Sequence, residues 1–135
     1  MIDAYFDQLE QVIHSFPNIQ ASVLKKKRYN AKKGFVSGAL IFDSGNRLEF
    51  IEVKDVDQSS KSKYRYQYMD QQNACIFRYD SVPHHRDIAT FPHHKHIGEE
   101  IIVESSEPDL FDVLLEIAQR ERRAYEDSLL DDLNS

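Results

Sequence analysis

The run Lys63-Tyr64-Arg65-Tyr66-Gln67-Tyr68-Met69 puts an aromatic ring at every second position, with a charged or amide side chain between. A period of two suits a strand, whose side chains alternate between faces, and does not suit a helix. The three tyrosines therefore call for a covered face, and Lys63, Arg65 and Gln67 for a wetter one. Asp70-Gln71-Gln72-Asn73 turns this strand into Ala74–Tyr79, making a hairpin. Whether two or four residues count as loop, the register pairs positions whose numbers sum to 143. Tyr66 then faces Phe77, Tyr64 faces Tyr79, and Arg65 faces Arg78. Like charges directly opposite destabilise by up to about 1 kcal/mol. Such a pair is tolerable if both groups reach water and useful if they share an anion.

Flanking segments extend the pattern. Tyr5, Phe6, Leu9, Val12, Ile13 and Phe16 recur at helical spacing, so a first helix is expected from Ile2 to about Ser15, stopped by Pro17. His14 reads as a cation near that helix's C-terminus. A strand is expected over about Ile19–Tyr29, ending in Lys25-Lys26-Lys27-Arg28 with Lys32 and Lys33 beyond; this cluster reads as a solvated edge before a phosphate site. Asp43-Ser44-Gly45-Asn46 is a strong turn signal between Phe35–Phe42 and Arg47–Lys54. Ile101-Ile102-Val103 suits a short strand. Glu107-Pro108-Asp109 opens an acidic helix expected over 107–130, with Leu110, Phe111, Val113, Leu114, Ile117 and Ala118 as its apolar face. Its charged later half and Leu129-Leu130-Asp131-Asp132 are expected to fray or to await a partner.

The predicted architecture is a single α+β domain over residues 1–135: an antiparallel sheet of about five strands, with an N-terminal helix and a C-terminal helix packed on one face. At 135 residues, 41% apolar and 30% charged, the chain is large enough to bury a core. It has no long apolar run and opens on the acidic Met1-Ile2-Asp3-Ala4, so neither a membrane span nor export is expected. The one cysteine, Cys75, cannot form an internal disulfide, which suits a cytoplasmic location. Within Ala74-Cys75-Ile76-Phe77 it reads as a small buried residue rather than a nucleophile. Charge is segregated. Residues 1–22 hold 3 acids and no Lys or Arg, residues 23–98 hold 14 bases against 8 acids, and residues 99–135 hold 3 bases against 12 acids. A basic centre followed by an acidic tail describes the chain better than its net charge of −6.

Five of the six histidines, His84, His85, His93, His94 and His96, crowd the His-rich region 83–96. Imidazole exchanges protons near neutral pH and also ligates metals. Pro83 and Pro92 make the segment extended or turning, and within Phe91–Ile97 the strand period sends His94 and His96 to one face, His93 and Lys95 to the other. Three readings are open. In the first, RNA supplies its own 2′-OH nucleophile and is cleaved without metal. Two imidazoles act as base and acid, each contributing roughly 10²- to 10⁴-fold, while Arg65, Arg78 and Lys95 stabilise charge. Tyr64, Tyr66 and Tyr68 offer rings for stacking bases, although on an alternating strand they are foremost core. In the second, His85 with His94 or His96 and Asp80 or Asp87 holds a metal, at a spacing matching no standard motif. In the third, the imidazoles bond backbone carbonyls and only shape a surface.

The succession Tyr64-Arg65-Tyr66-Gln67-Tyr68, Phe77-Arg78-Tyr79-Asp80, Pro83-His84-His85 and Phe91-Pro92-His93-His94-Lys95-His96 resembles the TumE family, small prokaryotic toxins of two-gene toxin–antitoxin systems. Leu48-Glu49-Phe50-Ile51-Glu52 is similar too, with Glu52 at an acid position. The resemblance spans roughly residues 34–115. It implies a toxin beside a cognate antitoxin and brings no mechanism with it. Joined to the His, Arg and Tyr inventory, it leads to a metal-independent ribonuclease needing no cofactor. His85 and His94 are the first choice as acid/base pair, with His84 and His96 next, and Arg65, Arg78, Lys95 and Tyr66 bind substrate. The acidic C-terminal stretch offers a place for an antitoxin or a second copy to form a homodimer, though a solvated helix face is the default. The alternatives are a non-catalytic nucleic-acid or protein binding module and a metal- or nucleotide-dependent transferase.

Overall fold

The computed structural model describes residues 1–81 and 93–134. Helix α1 (Ile2–His14) leads into β1 (Ile19–Arg28), β2 (Lys33–Phe42), β3 (Arg47–Asp55), β4 (Lys63–Met69), β5 (Cys75–Asp80), β6 (His94–Ile97) and β7 (Ile101–Glu104), and α2 (Leu110–Asn134) follows. The strands lie in sequence order, each antiparallel to the next. The α+β architecture is the expected one. The sheet has seven strands rather than about five, because β6 and β7, four residues each, pair with β5 and with each other and continue the meander.

The apolar patterns explain the layers. In α1 the buried residues Ile2, Phe6, Leu9 and Ile13 are spaced by three or four, and the Ser15 hydroxyl donates to the Val12 carbonyl at 2.6 Å just before Pro17. At the start of α2, Asp109 Oδ1 accepts the Asp112 N–H at 2.7 Å and Asp112 Oδ2 accepts the Asp109 N–H at 3.1 Å. This reciprocal capping box satisfies two otherwise unpaired donors. Leu110, Val113, Leu114 and Ile117 then pack with Tyr64, Tyr66, Tyr68, Phe77 and the α1 residues into one core. Both helices therefore cover the same face of the sheet. The Asp43–Asn46 turn forms as expected, with Gly45 at φ +86°, where a side chain would be strained.

The register of the second hairpin differs from the expected one by two residues. Tyr68 faces Phe77, Tyr66 faces Tyr79, Arg65 faces Asp80, and Arg78 faces Gln67. The cause is the turn. Asn73 adopts φ +65°, Asp70 accepts N–H bonds from Gln72 and Ala74 at 2.8 and 3.0 Å, and the pairing shifts again between Tyr68 and Met69. A two-residue slip keeps every ring on the covered face, so the alternation could not distinguish the two registers. The slip also removes the Arg65–Arg78 repulsion and sets Arg65 against a carboxylate.

At the β1 edge the basic cluster meets acids rather than standing alone: Lys26 pairs with Glu10, Arg28 with Asp3 at 3.5 Å, and Lys32 with Asp57 at 2.8 Å. No described helix is long and apolar enough to cross a membrane.

Candidate functional site

Period-two geometry on β4, β5 and β6 places Arg65, Gln67, Arg78, Asp80, His94 and His96 on the face turned away from the helices. Asp80 lies directly opposite His94, and Arg78 directly opposite His96. One carboxylate gathers the group. Its Oδ1 is 2.6 Å from His94 Nε2, and its Oδ2 is 3.0 Å from Arg78 Nε and 3.3 Å from His96 Nε2. Arg78 Nη2 in turn approaches His96 Nε2 at 3.0 Å. The two imidazoles meet edge to face, with centroids 5.3 Å apart.

Exposure separates their roles. His94 is 0% and Asp80 1% exposed, His96 is 9% exposed, and the Arg78 side chain is 30% exposed. Arg78, the edge of His96 and the exposed Arg65 are reachable from solvent, while His94 and Asp80 are sealed behind them.

Of the residues singled out in the sequence, the structure thus brings together Arg65, Arg78, His94 and His96. Lys95 is on the opposite face, its ammonium 3.0 Å from Glu116 of α2 and stacked over the Tyr79 ring at 4.8 Å. Tyr66 is fully buried, and its hydroxyl donates to Glu52 Oε2 at 2.5 Å, so it is a core residue with no open ring face for a base. His84 and His85 lie outside the described residues, as does Asp87. His93 falls on the helix side as its period required, with its Nδ1 2.9 Å from the Tyr64 hydroxyl and its ring stacked on Tyr64.

Asp80 is the residue whose importance sequence reasoning underrated, since it entered only as one of two acids for a metal. The available signal was its position two residues after Arg78 on a strand, which puts both on one face. The helix side holds further buried polar groups, of which only Glu52 was singled out in the sequence. Buried Glu52 receives hydroxyl bonds from Tyr5 of α1 and Tyr66 of β4. Lys61 is held by Glu107 at 3.3 Å and the Pro108 carbonyl at 2.8 Å. Burial pushes the hydroxyls of Tyr5, Tyr64, Tyr66, Tyr68 and Tyr79 above their ordinary range, so they stay protonated. Burial, helped by Glu99, also pushes the Cys75 thiol up, which keeps it a poor nucleophile.

Among the described residues, Asp80, His94 and His96 are a group able to hold a metal, with one ligand atom of each within 4.8 Å of the others. Two imidazoles and a carboxylate suit zinc and related divalent ions. The Arg78 guanidinium works against such an ion, because it contacts the same Asp80 and His96 and already brings positive charge there.

A family model described as Toxin TumE matches residues 9–122, which include all seven strands, the core positions of α2, Leu9 and Ile13 of α1, and the Asp80 cluster. No curated protein and no solved structure matches the chain significantly.

Proposed function

Since the chain belongs to the TumE toxin family, we propose that it is the toxin of a two-gene pair that cleaves RNA by metal-independent acid/base chemistry at the Asp80 cluster. The observation that carries this reading is the setting of His96. Its Nε2 lies between a group that can only donate, Arg78 Nη2 at 3.0 Å, and one that can only accept, Asp80 Oδ2 at 3.3 Å. With a lone pair on Nε2 the ring is met by Arg78, and with a proton there it is met by Asp80. An imidazole with a partner in either state can take a proton and return it.

In this mechanism Arg78 turns from His96 to the phosphate, the freed lone pair on His96 Nε2 takes the proton of a ribose 2′-OH, and Asp80 Oδ2 accepts from the new N–H. The 2′ oxygen forms a bond to phosphorus, and the bond from phosphorus to the 5′ oxygen breaks. The leaving 5′ oxygen receives a proton from a second imidazole, so the products carry a 2′,3′-cyclic phosphate and a 5′-hydroxyl. Arg78 and Arg65 balance the charge that builds on the phosphorane. Asp80 and sealed His94 act as positioning residues, and the second imidazole is assigned to His84 or His85. The proposed setting is the cytoplasm, with RNA as substrate and an antitoxin protein as restraint.

A metal-dependent cleavage is the second reading, favoured by the convergence of Asp80, His94 and His96. Incubating the purified protein with total cellular RNA, with and without EDTA, separates the two. EDTA-resistant cleavage that His96→Ala abolishes supports the acid/base reading. Cleavage lost to EDTA moves the trio to metal ligation, and no cleavage in either condition rejects the ribonuclease claim.

A further inference from the structure

The second half of α2 is larger than the fold needs. Residues 122–134 are all exposed, yet they include Tyr125 at 65%, Leu129 at 45% and Leu133 at 81% exposure. With Phe111 and Leu115, also exposed, these residues sit three or four apart once Ala118 and Arg122 are counted, and so form one stripe along the helix. The stripe borders a groove of about 860 Å³ whose apolar walls include Phe16, Pro17, Ile76, Ala118 and Tyr125. Solvated helix faces do not need such a stripe, and an exposed apolar surface of this extent marks an interaction site.

Charge identifies the occupant. Glu121 and Asp132 flank the stripe on one side and Glu126 on the other, and Arg122 within it is paired with Glu126 at 3.1 Å. Residues 121–134 carry 5 acids against 2 bases, and the groove itself sets Asp43 and Glu121 beside Arg120 and Arg122. A nucleic acid would be repelled here. A second copy docking symmetrically would bring two acidic helices together. We infer that the groove and stripe receive an amphipathic, Lys/Arg-flanked helix of the antitoxin, with an apolar anchor seated between Phe16 and Tyr125. This rests on the toxin assignment and not on the ribonuclease chemistry. The groove is on the helix side of the sheet and the Asp80 cluster on the other, so the antitoxin's grip is separable from the toxic site.

The test uses the full-length chain and the antitoxin encoded beside it. Affinity is measured at two salt concentrations for the native protein, Tyr125→Asp and Leu129→Asp, together with melting temperatures and the mass in solution. The expected result is a loss of at least about 30-fold for either variant, the scale of a hot-spot anchor. Native affinity should also weaken as salt rises, and the melting temperature should stay unchanged because both side chains are exposed. In cells, both variants should remain toxic and escape neutralisation. Unchanged affinity in both variants would overturn the inference. So would a native dimer that the variants convert to monomer while antitoxin binding persists, since the face would then belong to a second copy. A toxin with no RNA cleavage but with the expected affinity losses would reject the ribonuclease reading alone.

Discussion

The two faces of the sheet treat buried charge differently. On the helix side each charged group has its own closure: Glu52 takes the hydroxyls of Tyr5 and Tyr66, Lys61 sits on Glu107 and the Pro108 carbonyl, and Glu116 takes Tyr79, Lys95 and Arg120. On the other face one carboxylate, Asp80, serves two imidazoles and a guanidinium at once. The first arrangement joins elements to one another, linking α1 to β3 and β4, and α2 to β5 and β6. The second joins neighbouring strands that the backbone already holds. Glu116 is shared by three groups as well; what sets Asp80 apart is that two of its partners are imidazoles, which gain and lose protons near neutral pH.

The largest effect expected from this contrast is catalytic. His96→Ala should lower RNA cleavage by roughly 10²- to 10⁴-fold with little change in melting temperature, as measured on a defined oligoribonucleotide. A comparable loss of stability and activity would instead make His96 structural. Arg78→Lys should lose less, on the order of 10-fold or more, because lysine keeps the charge but not the fork that reaches both Asp80 and His96. A binding role would show as a higher KM, a charge-stabilising role as a lower kcat.

The helix side should answer in stability. Tyr66→Phe removes a donor from buried Glu52 and should cost about 1–3 kcal/mol in denaturant unfolding, with kcat of the folded fraction unchanged. Alkali probes the same face. The five tyrosines with raised hydroxyls hold their protons more tightly folded than unfolded. Their contribution is therefore complete below the ordinary tyrosine value of 10.0 and is lost as pH rises above it. Tyrosine absorbance should change together with unfolding rather than before it.

The smallest effect is at acid pH. Burial alone would raise the Glu116 carboxyl, but bonds from Tyr79, Lys95 and Arg120 outweigh it and hold the group below its ordinary 4.5. Its stabilisation is present above that ordinary value and fades as pH falls below it, toward the folded value. Unfolding of Glu116→Gln should show a shallower acid dependence than the native chain.

The sequence carried the covered tyrosine face, the first hairpin, both helices and the shared face of His94 and His96, because each rests on a local period. It could not carry the register of β4 with β5. That depended on Asn73 taking a left-handed conformation and on a local shift beside Met69, neither of which a period of two detects. The same slip explains the site. With Arg65 opposite Arg78 the strands would have framed an anion, whereas the observed pairing puts Asp80 at the centre and Arg65 at its flank. Lys95 was named for charge stabilisation although the same period already set it on the face opposite His94 and His96, where it pairs with Glu116.

If the Asp80 cluster uses the substrate's own 2′-OH, the chemical identity of the cleaved RNA ends will carry its mark. Mass spectrometry of a single-site oligoribonucleotide product should find a 2′,3′-cyclic phosphate and a 5′-hydroxyl, and a substrate with 2′-deoxyribose at that site should stay intact. A 5′-phosphate with a 3′-hydroxyl, or cleavage of the deoxy-substituted substrate, would contradict that chemistry.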